Sequence, residues 1–166
     1  METPGTFVAQ PQDLGMLYQW NRNIGWSTTN PMINSNGGTT WDKSTPTGDV
    51  WEKVNDPSPT GWRVPTREEL QKLQDIDKVT FEWTAINGVD GIRFTDKISG
   101  NSFFLPAAGQ RDYSSGTLFS EGTSRYWSSK ASDALNAYML EFNSGGADWS
   151  WGHYRRSGFS VRSVAE

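Results

Sequence analysis

The sequence contains no cysteine, and that one absence removes disulfides, thiol nucleophiles and thiolate metal sites together. It fits either a reducing compartment or a fold that is stable without staples. Histidine is nearly absent too. His153 is the only one, so a Ser-His-Asp triad would have to be built on it, and no GxSxG elbow is present to place a serine beside it. One histidine without cysteine also makes a zinc site unlikely by ligand count. Phosphate-binding loops of the GxGxxG or GxxxxGK[ST] type are missing. No apolar run reaches membrane-spanning length, and no signal peptide opens the chain. There is no basic excess either: the formal charge is −4, which gives no field to hold a phosphate backbone and sets nucleic acid aside as a partner. The abrupt start, METPGTFV, reads as a domain excised from a longer chain.

What is abundant is aromatic. Nine Trp, eight Phe and five Tyr in 166 residues supply a core of large rings, and 17 Gly with 8 Pro imply many turns. A chain of this length buries roughly two thirds of its unfolded surface, enough for one domain spanning 1–166. Thr66 with Glu69 forms a capping-box pattern ahead of Leu70, Leu73 and Ile76, which predicts a helix over 66–75. Pro11, Asp13, Leu14, Leu17 and Tyr18 predict a second over 11–19. Between them, residues 25–62 carry Trp26, Trp41, Trp51 and Trp62 with no period, the pattern of a long loop pinned by rings.

From residue 90 the pattern alternates. Ile92 and Phe94, then Phe103 and Leu105, then Tyr138, Leu140 and Phe142 face inward, with Met139 and Glu141 outward, and FSVRSV at 159–164 ties the C-terminus into a sheet. Helices followed by strands predict an α+β fold with a mainly antiparallel sheet. The glycine-bracketed stretch GGADWSWGHYRRSG, 145–158, holds more contact chemistry than a turn requires. With the outward side of strand 136–142, loop 144–157 has the composition of a paratope. The competing reading folds Trp149 and Trp151 into the core.

Four ordered stretches, GWRVPTREEL, FFLPAAGQRD, YWSS and GFSVRSV, resemble the Fibrobacter succinogenes major paralogous domain family over about residue 55 to the end. That resemblance implies a C-type lectin-like fold with two helices, an antiparallel sheet and long irregular loops. It also implies a non-enzymatic ligand-binding domain of a phage tail fibre or bacterial surface protein. It assigns Trp62, Pro65, Leu105, Pro106, Gly109, Tyr126, Trp127, Gly158, Phe159 and Val161 to the scaffold, and Arg111, Asp112 and Arg155 to buried hydrogen bonds or ion pairs. The loosely specified tract of the family falls here on Ser132, Asp133, Leu135, Met139, Glu141, Asp148, Trp149, Ser150, Trp151, Gly152, His153 and Tyr154, which become the expected ligand-binding residues. Diversification of these positions by a retroelement is part of the same expectation. Ser58 and Ser163 stand where the family carries cysteines, as if one disulfide had been removed. The calcium-lectin signatures EPN and WND are missing. No cofactor is assigned, although Asn- and Asp-rich loops such as NDPSP and NSNGG leave calcium open. The expected partner is a bacterial surface protein or glycan, with no membrane insertion by this domain and a homotrimer left open. The alternative is an assembly module whose aromatic loop packs on a neighbouring subunit.

Overall fold

The computed structural model describes residues 1–119, 122–148 and 152–166. In chain order the strands are β1 (Leu17–Tyr18), β2 (Gly25–Trp26) and β3 (Trp62–Arg63), followed by the helix α1 (Arg67–Gln71). Next come β4 (Val79–Ile86), β5 (Val89–Asp96), β6 (Ser102–Pro106), β7 (Gln110–Arg111) and β8 (Leu118–Phe119). The last are β9 (Thr123–Ala131), β10 (Asn136–Asn143), β11 (Gly146–Asp148), β12 (His153–Tyr154) and β13 (Val164–Ala165). Strand accounts for 39% of the chain and helix for 7%. The expected α+β, C-type lectin-like architecture with two helices is therefore corrected: the protein is mostly β, with several small antiparallel sheets and one short helix among the described residues.

Two local causes explain the lost helical content. The 11–19 segment is broken by Gly15, whose φ of 68° belongs to the left-handed region, where a right-handed helix cannot continue. A side chain at that position would also meet the Met1 carbonyl at 2.3 Å. The chain makes a turn at Gln10–Asp13, closed by Asp13 N–H on the Gln10 carbonyl at 3.1 Å, and then enters β1. The other helix starts where the capping box places it. Glu69 N–H donates to Thr66 Oγ1 at 3.2 Å, and Thr66 N–H to Glu69 Oε2 at 2.8 Å. It tightens to a 3-10 turn at Lys72–Gln74, so Leu70 is buried while Ile76, past the end, is exposed.

β4 and β5 form a hairpin around Asn87–Gly88, both with positive φ, the geometry that an Asn-Gly two-residue turn adopts. β6 continues this sheet. The other large sheet has β10 at its centre, with β9 on one edge and both β11 and β12 on the other. β10 is covered on both faces. Ala137 and Met139 join Trp127, Trp20, Trp51 and Phe159, while Leu140 and Phe142 join Tyr126, Leu70, Ile92 and Leu105. The expected alternation holds along β10, but the face expected to point outward is covered as well, which corrects the placing of Met139. Met139 is 2% exposed on that face, Tyr138 on the opposite face lies half-buried beneath the Arg67 guanidinium, and the register shift between Ala137 and Met139 places the extra residues of the bulge on β9, at Ser128–Lys130.

The C-terminal segment is tied by single bridges from Gly158, Phe159 and Ser160 to Arg111, Tyr18 and Tyr126, and only Val164–Ala165 pairs as a strand, with β3. Beside that pairing, the Ser58 and Ser163 hydroxyls lie 2.7 Å apart. The two positions can therefore be cross-linked. We predict that the double variant Ser58→Cys/Ser163→Cys oxidises to a single intramolecular disulfide and gains about 2–4 kcal/mol, because the bridge closes a long loop of the unfolded chain. Thiol titration and urea unfolding, with and without reductant, check this.

Candidate functional site

The expected ligand-binding residues fall into three places. Ser132, Asp133 and Leu135 occupy the turn between β9 and β10. Asp133 Oδ1 accepts from the backbone N–H groups of Leu135 (2.7 Å) and Asn136 (2.9 Å), so the carboxylate closes the turn, and these bonds with the Asn136 amide hold it below the usual carboxylate range. Leu135 is left 53% exposed at its tip. Ser132 Oγ is buried with no hydrogen-bond partner among the described residues, and a Cβ on Gly152 would approach it to 1.9 Å. Position 152 therefore accepts glycine alone.

Met139 and Glu141 lie on β10, and Asp148 on β11. Met139 is core and is removed from the candidate face. Glu141 lies opposite both Arg125 on β9 and Asp148 on β11. Arg125 Nε donates to Glu141 Oε2 at 2.7 Å, and its guanidinium also donates to Gln110 and lies 5.6 Å from the Phe159 ring centroid. Asp148 is exposed at the open end of the β10–β11 ladder.

His153 and Tyr154 form β12, on the same edge of β10 as β11. The two flanks of the aromatic stretch are thus both fixed to β10. Trp149, Ser150 and Trp151 lie outside the described residues. The His153 ring stands edge-on to Phe159, 4.9 Å between centroids, with Nδ1 3.1 Å from Ser157 Oγ. Burial, helped by the Arg125 charge, lowers its pKa to about 4, against the smaller opposite pull of Glu141 and Asp112. The imidazole is neutral at pH 7. Tyr154 is 39% exposed and packs on Tyr113, 4.4 Å between centroids, with the Arg156 guanidinium 5.3 Å from the Tyr113 ring.

Tyr113 comes from the β7–β8 hairpin, which the sequence reading did not include in the site. That hairpin is shaped by Asp112, whose Oδ1 accepts Ser114 N–H at 2.9 Å and Ser115 N–H at 3.0 Å, and by Gly116 at φ 73°. Burial alone would raise the Asp112 pKa, but these bonds and those of the two hydroxyls outweigh it and hold the carboxyl ionised. Of the hydrogen bonds or ion pairs expected of Asp112, it makes hydrogen bonds, as the cap of this loop. Phe119, opposite Gln110 in the ladder, is exposed. The signal available in the sequence was DYSSGTLF itself: a turn cluster flanked by two rings.

The face thus joins two aromatic side chains with an arginine, a partly shielded Arg125–Glu141 pair, and an apolar tip at Leu135. The loops named for calcium use their oxygens internally. Asp56 accepts from Ser58 and Val64 N–H, and Asn34 Oδ1 from Asn36 and Gly38 N–H. Among the described residues no three His, Asp or Glu side chains stand together in a metal-holding group. No family model, curated protein or solved structure matches this chain.

The buried His153 generates a pH prediction. Its folded pKa lies below the unfolded value of about 6.5, so the unfolded state takes up the proton first and stability falls as pH drops from about 6.5 towards 4. The His153→Gln variant should lose this part of the slope, worth up to about 3 kcal/mol across that window. Urea unfolding of both proteins at several pH values checks it.

Proposed function

We propose that this chain is a non-enzymatic recognition domain, carried by a phage tail fibre or a bacterial surface protein, that binds a bacterial surface protein or glycan. The binding face consists of Tyr154, Tyr113 and Arg156, the Leu135 turn, and the Glu141–Asp148 edge. The observation that carries this reading is the paired, partly exposed Tyr113 and Tyr154 beneath Arg156, with Tyr154 on β12 and Tyr113 in the turn between β7 and β8. Tyrosine gives rigid amphipathic area at low entropic cost, and arginine gives directional donors, the two residue types that dominate binding hot spots. Display in several copies would raise a weak single-site affinity through avidity.

Diversification by a retroelement, if it acts here, has a restricted set of positions: Leu135, Glu141, Asp148 and Tyr154 can change without disturbing the core, whereas Asp133 closes a turn and Met139 and Gly152 are packed against their neighbours. Sequencing the locus for a near-copy repeat beside a reverse transcriptase tests that part. For binding, the isolated domain is screened against a panel of bacterial strains. Tyr154→Ala and Tyr113→Ala should each weaken cell binding about tenfold, the usual cost of truncating a tyrosine anchor, while thermal unfolding shifts little. Loss of an oligomer on light scattering in the same variants would favour an assembly role instead.

A further inference from the structure

A second site lies away from that face and shares no residue with it. A groove of about 350 Å³ runs between α1, the β3–β13 pair and β6. Its walls are apolar: Trp62, Pro65, Leu70, Leu73, Phe103 and Leu105. Trp62 is 37% exposed, whereas Trp20, Trp26, Trp41, Trp51 and Trp127 are all buried, so this indole is placed as a wall and not as a plug. Across Trp62 a second groove of about 310 Å³ continues along Phe7, Val8 and Pro11. Together they form a path with room for an extended apolar chain.

The charges at the groove are of one effective sign. The carboxylate that lines it, Glu69, is held by Arg63 in a two-pronged pair of 2.7 Å each and accepts Thr66 N–H as well. That arrangement lowers its pKa to about 2 and neutralises it towards any ligand. Arg162, by contrast, is exposed, has no carboxylate within ion-pair distance among the described residues, and lies 5.8 Å from the Phe103 ring centroid. It lines both grooves. An uncompensated guanidinium beside an apolar trough matches a ligand with an apolar body and an anionic head.

We infer that this groove binds an amphipathic carboxylate, an aliphatic chain of medium length whose head group pairs with Arg162 while the chain lies along Trp62, Leu73 and Phe103. The juxtaposition of the six apolar walls with Arg162 carries the inference, and it stands independently of the recognition face.

The test uses decanoate and the intact 166-residue chain, by titration calorimetry and by following the Trp62 indole signal in ¹H–¹⁵N spectra. Saturable one-to-one binding with a Kd of roughly 10–100 µM is expected for a ligand of this size. Arg162→Gln should weaken it about tenfold, as loss of a charge-assisted contact does. Ala165→Trp, a change at an exposed position on the groove wall, should abolish it while leaving the fold intact. Decyltrimethylammonium, with the same chain and the opposite charge, should bind at least tenfold more weakly than decanoate. The inference is overturned by any of these results: no saturable binding, an affinity unchanged by Arg162→Gln or by Ala165→Trp, equal affinity for the two surfactants, or a decanoate footprint elsewhere. Concentration-dependent dimerisation that Ala165→Trp removes, in place of decanoate binding, would assign the groove to a second copy of this chain and overturn it equally.

Discussion

Irregular backbone must find partners for its N–H and C=O groups once it is buried, and in this chain side chains supply many of those partners. Two buried arginines each serve several carbonyls. Arg111 donates to the Ser27, Thr29 and Gly116 carbonyls at 2.9, 2.8 and 2.6 Å. Arg155 donates to Pro46 and Gly48 at 3.0 and 2.9 Å, to Asn136 at 3.2 Å and to Asp133, while its guanidinium lies 4.6 Å from the Trp20 ring. Each cation is desolvated, which lowers its pKa, and each remains charged because an arginine starts so far above neutrality. Neither has a carboxylate within ion-pair distance among the described residues, so the carbonyl dipoles balance the charge. The long loop is held to the hairpins by these contacts. Indole N–H groups extend the same device: Trp20 donates to Ser128 at 3.0 Å, Trp41 to Tyr113 at 3.2 Å and Trp127 to Tyr18 at 2.7 Å.

Because the loop is fastened in this way, it can cover one face of β10 while the β4–β5–β6 sheet and α1 cover the other. A strand buried on both faces gives a fixed reference line. Along its loop-covered face, burial runs out from Met139 under Trp127 to Glu141 paired with Arg125, and then to Asp148 at the exposed edge. The candidate face is built where the core ends. Its side chains therefore gain rigidity from their neighbours without themselves being needed to fill the interior, and His153, leaning on Phe159, marks the boundary between the two regimes.

Particular elements show how much of this was legible. The capping box located α1 because it depends on residues three apart, and β5, β6 and β10 were visible because their inward rings alternate. The short length of α1 was not, since the 3-10 tightening at Lys72 has no composition signal. Gly15 was visible and underweighted: one glycine costs a helix about 1 kcal/mol, but a positive φ set by the packing of Met1 ends it. The Asn87–Gly88 turn is the plainest hairpin signal in the chain, and β4 ahead of it was equally legible, since Val79, Phe81 and Trp83 alternate with Thr80, Glu82 and Thr84. The burial of Met139 could not be read from NAYMLEF, because alternation marks one inward face and the loop that covers the other is distant in sequence. For the site, β10 was legible, and the hairpin that brings Tyr113 against β12 was not, because that proximity arises from non-local pairing.

The choice of main-chain carbonyls as acceptors has a consequence for which positions can vary. A carbonyl belongs to every residue type, so the Arg155 contacts to Asp133 and Asn136, and the Arg155 N–H bond to the Leu135 carbonyl at 2.9 Å, do not depend on the side chains presented there. Leu135 can change its exposed chemistry while the backbone stays fastened, whereas Asp133, whose carboxylate closes the turn, is held. Substitution of Arg155 itself would release four carbonyls at once and loosen the turn, β12 and the 46–48 segment together. A scaffold that reads backbone and not side chain is what a face with changeable residues requires, and it places the constraint on Arg155, Gly152 and Met139 and not on Leu135 or Tyr154.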